Sequence, residues 1–132
     1  MLFIPVGLNI YYFRGMTVYG IPNCDTVQKA LSWFKTNQIE FEFHNFKTAG
    51  IDPQNLKQWN KKAGLEAFLN KKSATWRSLD DTQKEAALNF DGALPIFLEK
   101  TSLIKRPVIE DGDFLFFGFD EAVYQQHFLN QL

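Results

Sequence analysis

The sequence predicts an α/β domain on a mixed central sheet, in the order βαβ, a helical block, then ββα. Three observations predict it. Hydrophobic periodicity switches from two to about 3.6 just after residue 24 and back again near residue 40. A run of caps, glycines and helical faces fills the middle of the chain. Near the end, Asp111-Gly112 sits between two apolar, β-prone runs, a strong hairpin signal.

Each element follows from its residues. Thr17-Val18-Tyr19 is short and β-prone, so it reads as a strand. Gly20-Ile21-Pro22-Asn23 reads as a loop. Val27, Ala30, Leu31 and Phe34 then fall on one helical face, giving a helix from about Asp25 to Thr36 with Asn37 as its stop. Glu40–Phe46 alternates Phe41 and Phe43 with Glu42 and His44, the pattern of a half-buried strand. A helical crossover between two strands implies a parallel, right-handed pair. Asp52-Pro53 is a cap followed by proline at the first helical position. Leu56, Trp59 and Ala63 share a face of that helix, and Gly64 ends it. Leu65–Asn70 reads as a short helical turn. Asp80 caps a helix through Phe90, with Gln83 completing a capping box. Ala93–Lys100 reads as helical, with Pro95 expected in its first turn. The tail returns to strands at Val108–Glu110 and Phe114–Phe117. A last helix runs from Phe119-Asp120 to about Leu129, with Val123, Tyr124 and Phe128 inward. The layout is thioredoxin-like, interrupted by a helical insert over about residues 48–105.

Length and composition fit one domain of 132 residues, with 45% apolar and 22% charged residues. The 14 Phe read as core filling. The net charge is −1, and the longest basic runs are the pairs Lys61-Lys62 and Lys71-Lys72. General nucleic-acid binding is therefore disfavoured, and such lysine pairs read as solvated. The first thirteen residues carry no charge. They are fewer than the roughly 20 needed to span a membrane, and they lack the basic start and cleavage site of a signal peptide. A clean strand begins at Met16. Residues 1–15 therefore read as an N-terminal extension: a start-site artefact or appended arm, or an extra edge strand around Asn9–Phe13. The domain proper is 16–132. No membrane association is expected.

The chain has one cysteine, Cys24. An internal disulfide and a multi-Cys zinc site are both excluded, no other metal spacing is present, and a reducing, cytoplasmic location is expected. A free cysteine is most often a small buried hydrophobe. Cys24 instead lies between a loop and a helix start, where unpaired N–H groups and the positive end of the helix dipole favour a thiolate, the nucleophilic form.

The stretch from Tyr19 through Pro22-Asn23-Cys24-Asp25-Thr26 to Ala30 closely resembles the redox loop of the arsenate reductase (ArsC) family, most of all its YffB-like branch. Thr75-Trp76-Arg77, Ile104-Lys105-Arg106-Pro107-Val108 and Gly118-Phe119-Asp120-Glu121 resemble further family elements, in order, from Met16 to about Phe128. The resemblance implies a thioredoxin fold and Cys24 as the catalytic nucleophile, with Arg106-Pro107 as a cis-proline element facing it. The other reading of Pro107 is an ordinary trans proline at the first residue of a strand. Arg106 offers a planar fork for an anion near the sulfur and is a catalytic candidate. Asn23, Asp25, Thr26, Arg77 and Pro107 are candidates for binding substrate or glutathione. Thr26 also reads as a helix cap and Arg77 as a surface salt-bridge former.

Three departures bear on substrate. Asn70 stands where arsenate reductases of the family carry an arginine, Leu115–Gly118 is Phe-rich where they carry another, and Gly20 stands where they have a histidine. Arsenate thus loses most of its clamp, and the leading expectation is a glutathione-dependent thiol–disulfide reductase. Its partners would be glutathione, as co-substrate rather than bound cofactor, and a small anionic or disulfide substrate. Glutaredoxin is a further candidate, and a monomer is expected. A glutathione- or glutaredoxin-coupled arsenate reductase is the first alternative. An adaptor like the family's Spx branch, without its Cys-x-x-Cys switch because Val27 takes the second position, is the other.

Overall fold

The computed structural model describes residues 15–130. The extension expected over residues 1–15 lies, apart from Gly15, outside the described residues. The chain forms two compact units. One comprises residues up to His44 together with Pro107 onward; the other is Asn45–Arg106.

The first unit carries the sheet. Strands β1 (Thr17–Gly20), β2 (Glu42–Asn45), β3 (Val108–Asp111) and β4 (Phe114–Phe117) lie in the order β2-β1-β3-β4, a mixed sheet. Helix α1 (Asp25–Thr36) makes the crossover from β1 to its neighbour β2. β3 runs antiparallel to both β1 and β4, with Tyr19 opposite Val108 and Val108 opposite Phe117. The apolar face predicted for α1 is the buried one: Val27, Ala30, Leu31, Trp33 and Phe34 pack with Met16, Val18, Ile109 and Tyr124. Tyr124 stacks on Phe34 at 5.1 Å and meets Trp33 edge-on at 5.4 Å. Its hydroxyl donates to the Gly118 carbonyl at 2.7 Å, so the ring is buried without an orphan polar atom. Burial, with Asp120 nearby, holds its ionisation well above the usual tyrosine range.

The second unit is helical. It contains α2 (Phe46–Ala49), α3 (Pro53–Ala63), α4 (Leu65–Phe68), α5 (Ala74–Ser78), α6 (Asp81–Ala86) and α7 (Phe90–Glu99), followed by a 3-10 turn at Thr101–Leu103. Its core centres on Phe68, which meets Trp59 edge-on at 6.1 Å and Phe97 at 5.2 Å. α3 begins and ends where its sequence predicts. The Asp52 side chain accepts from Gln54 N at 2.7 Å, and Gly64 closes the helix with φ 85°.

Several boundaries differ from expectation. The strand predicted over Glu40–Phe46 is shorter, because the Asn45 side chain accepts from Lys47 N and starts α2. The single helix expected from Asp80 to Phe90 ends at Ala86. Asn89 accepts from Gly92 N at 2.9 Å and caps a new helix. Pro95 therefore lies inside α7 rather than in its first turn. A Ser73-capped turn, α5, was not foreseen. The closing helix is α-helical over Glu121–Tyr124 (α8) and widens to π geometry over Gln125–Leu129. Among the described residues no helix is long and apolar enough to cross a membrane.

Candidate active site around Cys24

β1 ends at Gly20, and the chain turns through Ile21–Asn23 into α1. Gly20 is required by packing. A Cβ there would lie 2.7 Å from Val27 Cγ2 and 3.2 Å from Cγ1. The first turns of α1 thus rest directly on the end of β1. The loop is tied back by Gln28, whose side-chain amide donates to the Pro22 carbonyl.

Cys24 is the N-cap residue of α1, with extended backbone (φ −125°, ψ 124°). Its carbonyl accepts from Gln28 N at 2.9 Å, so the helix starts there. Its side chain makes no capping hydrogen bond. The residue is half-buried, packed on one side against the core beneath α1. A thiol here combines a fixed backbone with access from solvent at the positive end of a 12-residue helix. Asn23, Asp25 and Thr26 flank it and are exposed. The capping role foreseen for Thr26 is not taken, because the N-cap position belongs to Cys24 itself. Asp25 lies in the first turn, where a carboxylate favours the helix.

The register brings Pro107 to the same end of the sheet. With Tyr19 opposite Val108, β3 starts where β1 stops, so Pro107 and the Cys24 loop leave the sheet together. Pro107 is buried, and its carbonyl accepts from Gly118 N at 2.7 Å. Gly118, at φ 104°, makes a turn that other residues rarely adopt. Behind the loop, the Tyr19 hydroxyl donates to Glu110 Oε1 at 2.8 Å. Burial first, then this acidic partner, holds the Tyr19 hydroxyl protonated far above its usual range.

The two arginine candidates belong to the helical unit. Arg106 is half-buried and makes no hydrogen bond or ion pair among the described residues. Arg77 is exposed, and its Nη1 donates to the Lys72 carbonyl at 2.7 Å, a structural tie rather than the surface salt bridge considered from sequence. Asn70 is likewise occupied, accepting from Lys72 N at 3.1 Å in a local turn. His44 and His127, given no role by the sequence, pack against Tyr19 and Phe114 respectively, and His127 also meets Asp111 at 2.9 Å. Among the described residues no group of His, Cys, Asp and Glu is arranged to hold a metal ion.

A groove of about 770 Å3 lies between α1 and the segment that opens the closing helix, lined by Asp25, Lys29, Trp33, Phe119 and Gln125 among others. The sulfur does not line it. Sequence reasoning missed both this groove and the approach of Val27 to Gly20.

A model of the ArsC family matches residues 19–127. The chain belongs to the ArsC family. An uncharacterized protein of Haemophilus influenzae is 44% identical over 114 residues, 86% of this chain and 98% of that one. Among solved structures, a YffB protein superposes with a TM-score of 0.80 at 37% identity, covering 84% of this chain and 96% of its own. An arsenate reductase (ArsC) related protein from Brucella melitensis superposes with a TM-score of 0.68 at 34% identity, covering 87% and 95%. The ArsC family assignment and the thioredoxin-like fold expected from the sequence therefore stand.

Proposed function

We propose that this chain is a glutathione-dependent thiol–disulfide reductase in which Cys24 is the sole nucleophile. The observation that carries the reading is the placement of the only cysteine, half-exposed, as the N-cap of α1 with no side-chain cap bond of its own. Only the thiolate form of a cysteine attacks a disulfide. Membership in the ArsC family supports a reductase in general.

The reaction runs in two exchanges. The Cys24 thiolate attacks a substrate–glutathione disulfide. The substrate S–S bond breaks, a Cys24–glutathione disulfide forms, and the substrate thiolate leaves and takes a proton from water. A second glutathione, as thiolate, then attacks the glutathione sulfur of that mixed disulfide. Oxidised glutathione is released and Cys24 returns as thiolate. No second cysteine exists to resolve the intermediate, so an external thiol must do so. Asn23, Asp25, Thr26 and Pro107 border the attacking sulfur in this scheme. Arg106, with no acid partner among the described residues, is the cation assigned to an anionic substrate group, with Arg77 secondary.

The test is turnover of a small glutathione mixed disulfide in the presence of reduced glutathione. The parent protein should turn over and Cys24→Ser should not. Equal activity in both would refute the assignment. Arsenate reduction is the second reading, favoured by the arsenate reductase-related structure at 34% identity. Asn70 sits in a local turn instead of presenting a guanidinium, so arsenate activity should be weak and should rise in Asn70→Arg. An Spx-like adaptor role gains no redox switch here, since Val27 is buried in the core.

A further inference from the structure

The groove between α1 and the closing helix has no part in the chemistry above. Both of its walls belong to the sheet unit. α1 supplies Asp25, Lys29, Trp33 and Asn37, every fourth residue and so one face of the helix. This stripe runs the length of the 12-residue helix, about 18 Å at 1.5 Å per residue. Glu121 and Gln125, also four apart, line the other wall. Trp33 is buried and Phe119 half-buried, an aromatic base beneath exposed polar side chains. Both rings are fixed by Tyr124, which meets Trp33 at 5.4 Å and Phe119 at 5.1 Å, edge-on in each case. A preformed groove of this length suits an extended segment of about five residues, at about 3.3 Å each.

Its charge is one-sided. Asp25 lines the groove and directly follows Cys24 in the chain. The lining holds two carboxylates, Asp25 and Glu121, against one ammonium, Lys29. None of the three forms an ion pair among the described residues. The surrounding unit is more acidic still. Its described residues carry eight carboxylate side chains and two lysines, Lys29 and Lys35. The field here draws cationic groups in and disfavours acidic ones.

The chemistry of a glutathione mixed disulfide supplies the cation. A protein cysteine beside Lys or Arg has a lowered pKa and more thiolate. Thiolate character and exposure decide which cysteines are oxidised and capped by glutathione. Glutathionylated cysteines are therefore favoured where basic neighbours stand. We propose that the groove holds the polypeptide around a glutathionylated protein cysteine, its Lys or Arg side chains against Asp25 and Glu121. The proposal rests on the reductase reading and names the substrate class. The step is the first exchange already written: the Cys24 thiolate attacks the glutathione sulfur, the bond to the protein sulfur breaks, and the protein thiolate leaves and takes a proton from water. Exposed ion pairs are weak and screened by salt, so each carboxylate should contribute about two- to fivefold.

The experiment uses two synthetic peptides, each with one cysteine carried as its glutathione mixed disulfide. One has Lys and Arg on both sides of that cysteine; the other has Glu in their places. Turnover with reduced glutathione at low ionic strength is divided by the rate with glutathione alone, which removes the difference in leaving group. The full chain should favour the basic peptide by about fivefold or more in kcat/KM, and Glu121→Lys should abolish most of that preference. Glu40→Lys, the same charge change at an exposed residue outside the groove, should leave the preference within about twofold. Neither variant should alter turnover of a small glutathione mixed disulfide. Amide NMR of Cys24→Ser titrated with the basic peptide reads binding without turnover, and saturable shifts are expected at Lys29, Trp33 and Gln125. Equal use of the two peptides, a preference unchanged in Glu121→Lys or lost equally in Glu40→Lys, or absence of those shifts would overturn the groove assignment, while turnover of the small disulfide would keep the reductase reading. Groove shifts with no disulfide turned over by the full chain would refute the reductase reading and leave a site for basic peptide. Groove shifts that grow with protein concentration before peptide is added would assign the groove to a second copy of the chain and overturn the proposal.

Discussion

The contact between Gly20 and Val27 fixes α1, and with it Cys24, on the end of β1. Gly20→Ala would place a Cβ 2.7 Å from Val27 Cγ2 and 3.2 Å from Cγ1. Val27 is fully buried and β-branched, so its methyls cannot swing away within the helix. The helix or the strand must shift, and overpacking of this kind costs about 1–3 kcal/mol. The remedy lies in the same geometry. Val27 Cβ is 3.6 Å from the new atom, an ordinary contact, so Val27→Ala removes the whole clash. Val27→Ala alone should cost about 1–3 kcal/mol through its lost methyls. The double variant should then be more stable than the sum of the two losses requires, by about 1 kcal/mol or more. Urea denaturation followed by far-ultraviolet circular dichroism measures all four proteins. Reactivity of Cys24 toward a disulfide dye should change in Gly20→Ala and recover in the double variant. A Gly20→Ala protein within about 0.5 kcal/mol of the parent, or strictly additive losses, would refute the packing argument.

Other consequences follow from neighbouring geometry. A Cβ on Gly92 would lie 1.9 Å from the Ala86 carbonyl oxygen, a main-chain atom with no rotamer to change. Gly92→Ala should destabilise the protein by about 3 kcal/mol or more, and a near-neutral result in urea would contradict the close approach of α6 and α7. Tyr19 and Tyr124 are both held protonated above their reference value of 10.0. The fold favours the neutral phenol, so their contribution is complete below pH 10 and is lost as pH rises above it. Each should cost about 1 kcal/mol between pH 10 and 11, and Tyr19→Phe should remove about half of that alkaline slope in chemical denaturation. An unchanged slope would assign the effect elsewhere.

Much of the fold is readable from local patterns because those patterns carry the packing. The four apolar residues that predict α1 are among the five it buries, and Asp52-Pro53 and Gly64 bracket α3 because they satisfy its ends. Reading fails where two short elements abut. Asn89 looks like an interior residue until its side chain is seen capping Gly92, and the alternation of Phe41 and Phe43 gives no hint that Asn45 starts a new turn. The position of Cys24 at a helix start is a sequential fact and so was accessible. The need for glycine at position 20 is not, since glycine before a turn reads only as a loop signal. The groove is equally hidden. Asp25, Lys29 and Asn37 read as a solvated helix face until Glu121 and Gln125 come beside them.

The most direct test is to weigh the intact protein after exposure to oxidised glutathione at neutral pH. One glutathione should attach, mapped by peptide analysis to the sulfur of Cys24, and come off again with reduced thiol. A protein that keeps its unmodified mass while an exposed cysteine in a reference peptide reacts fully would contradict the account.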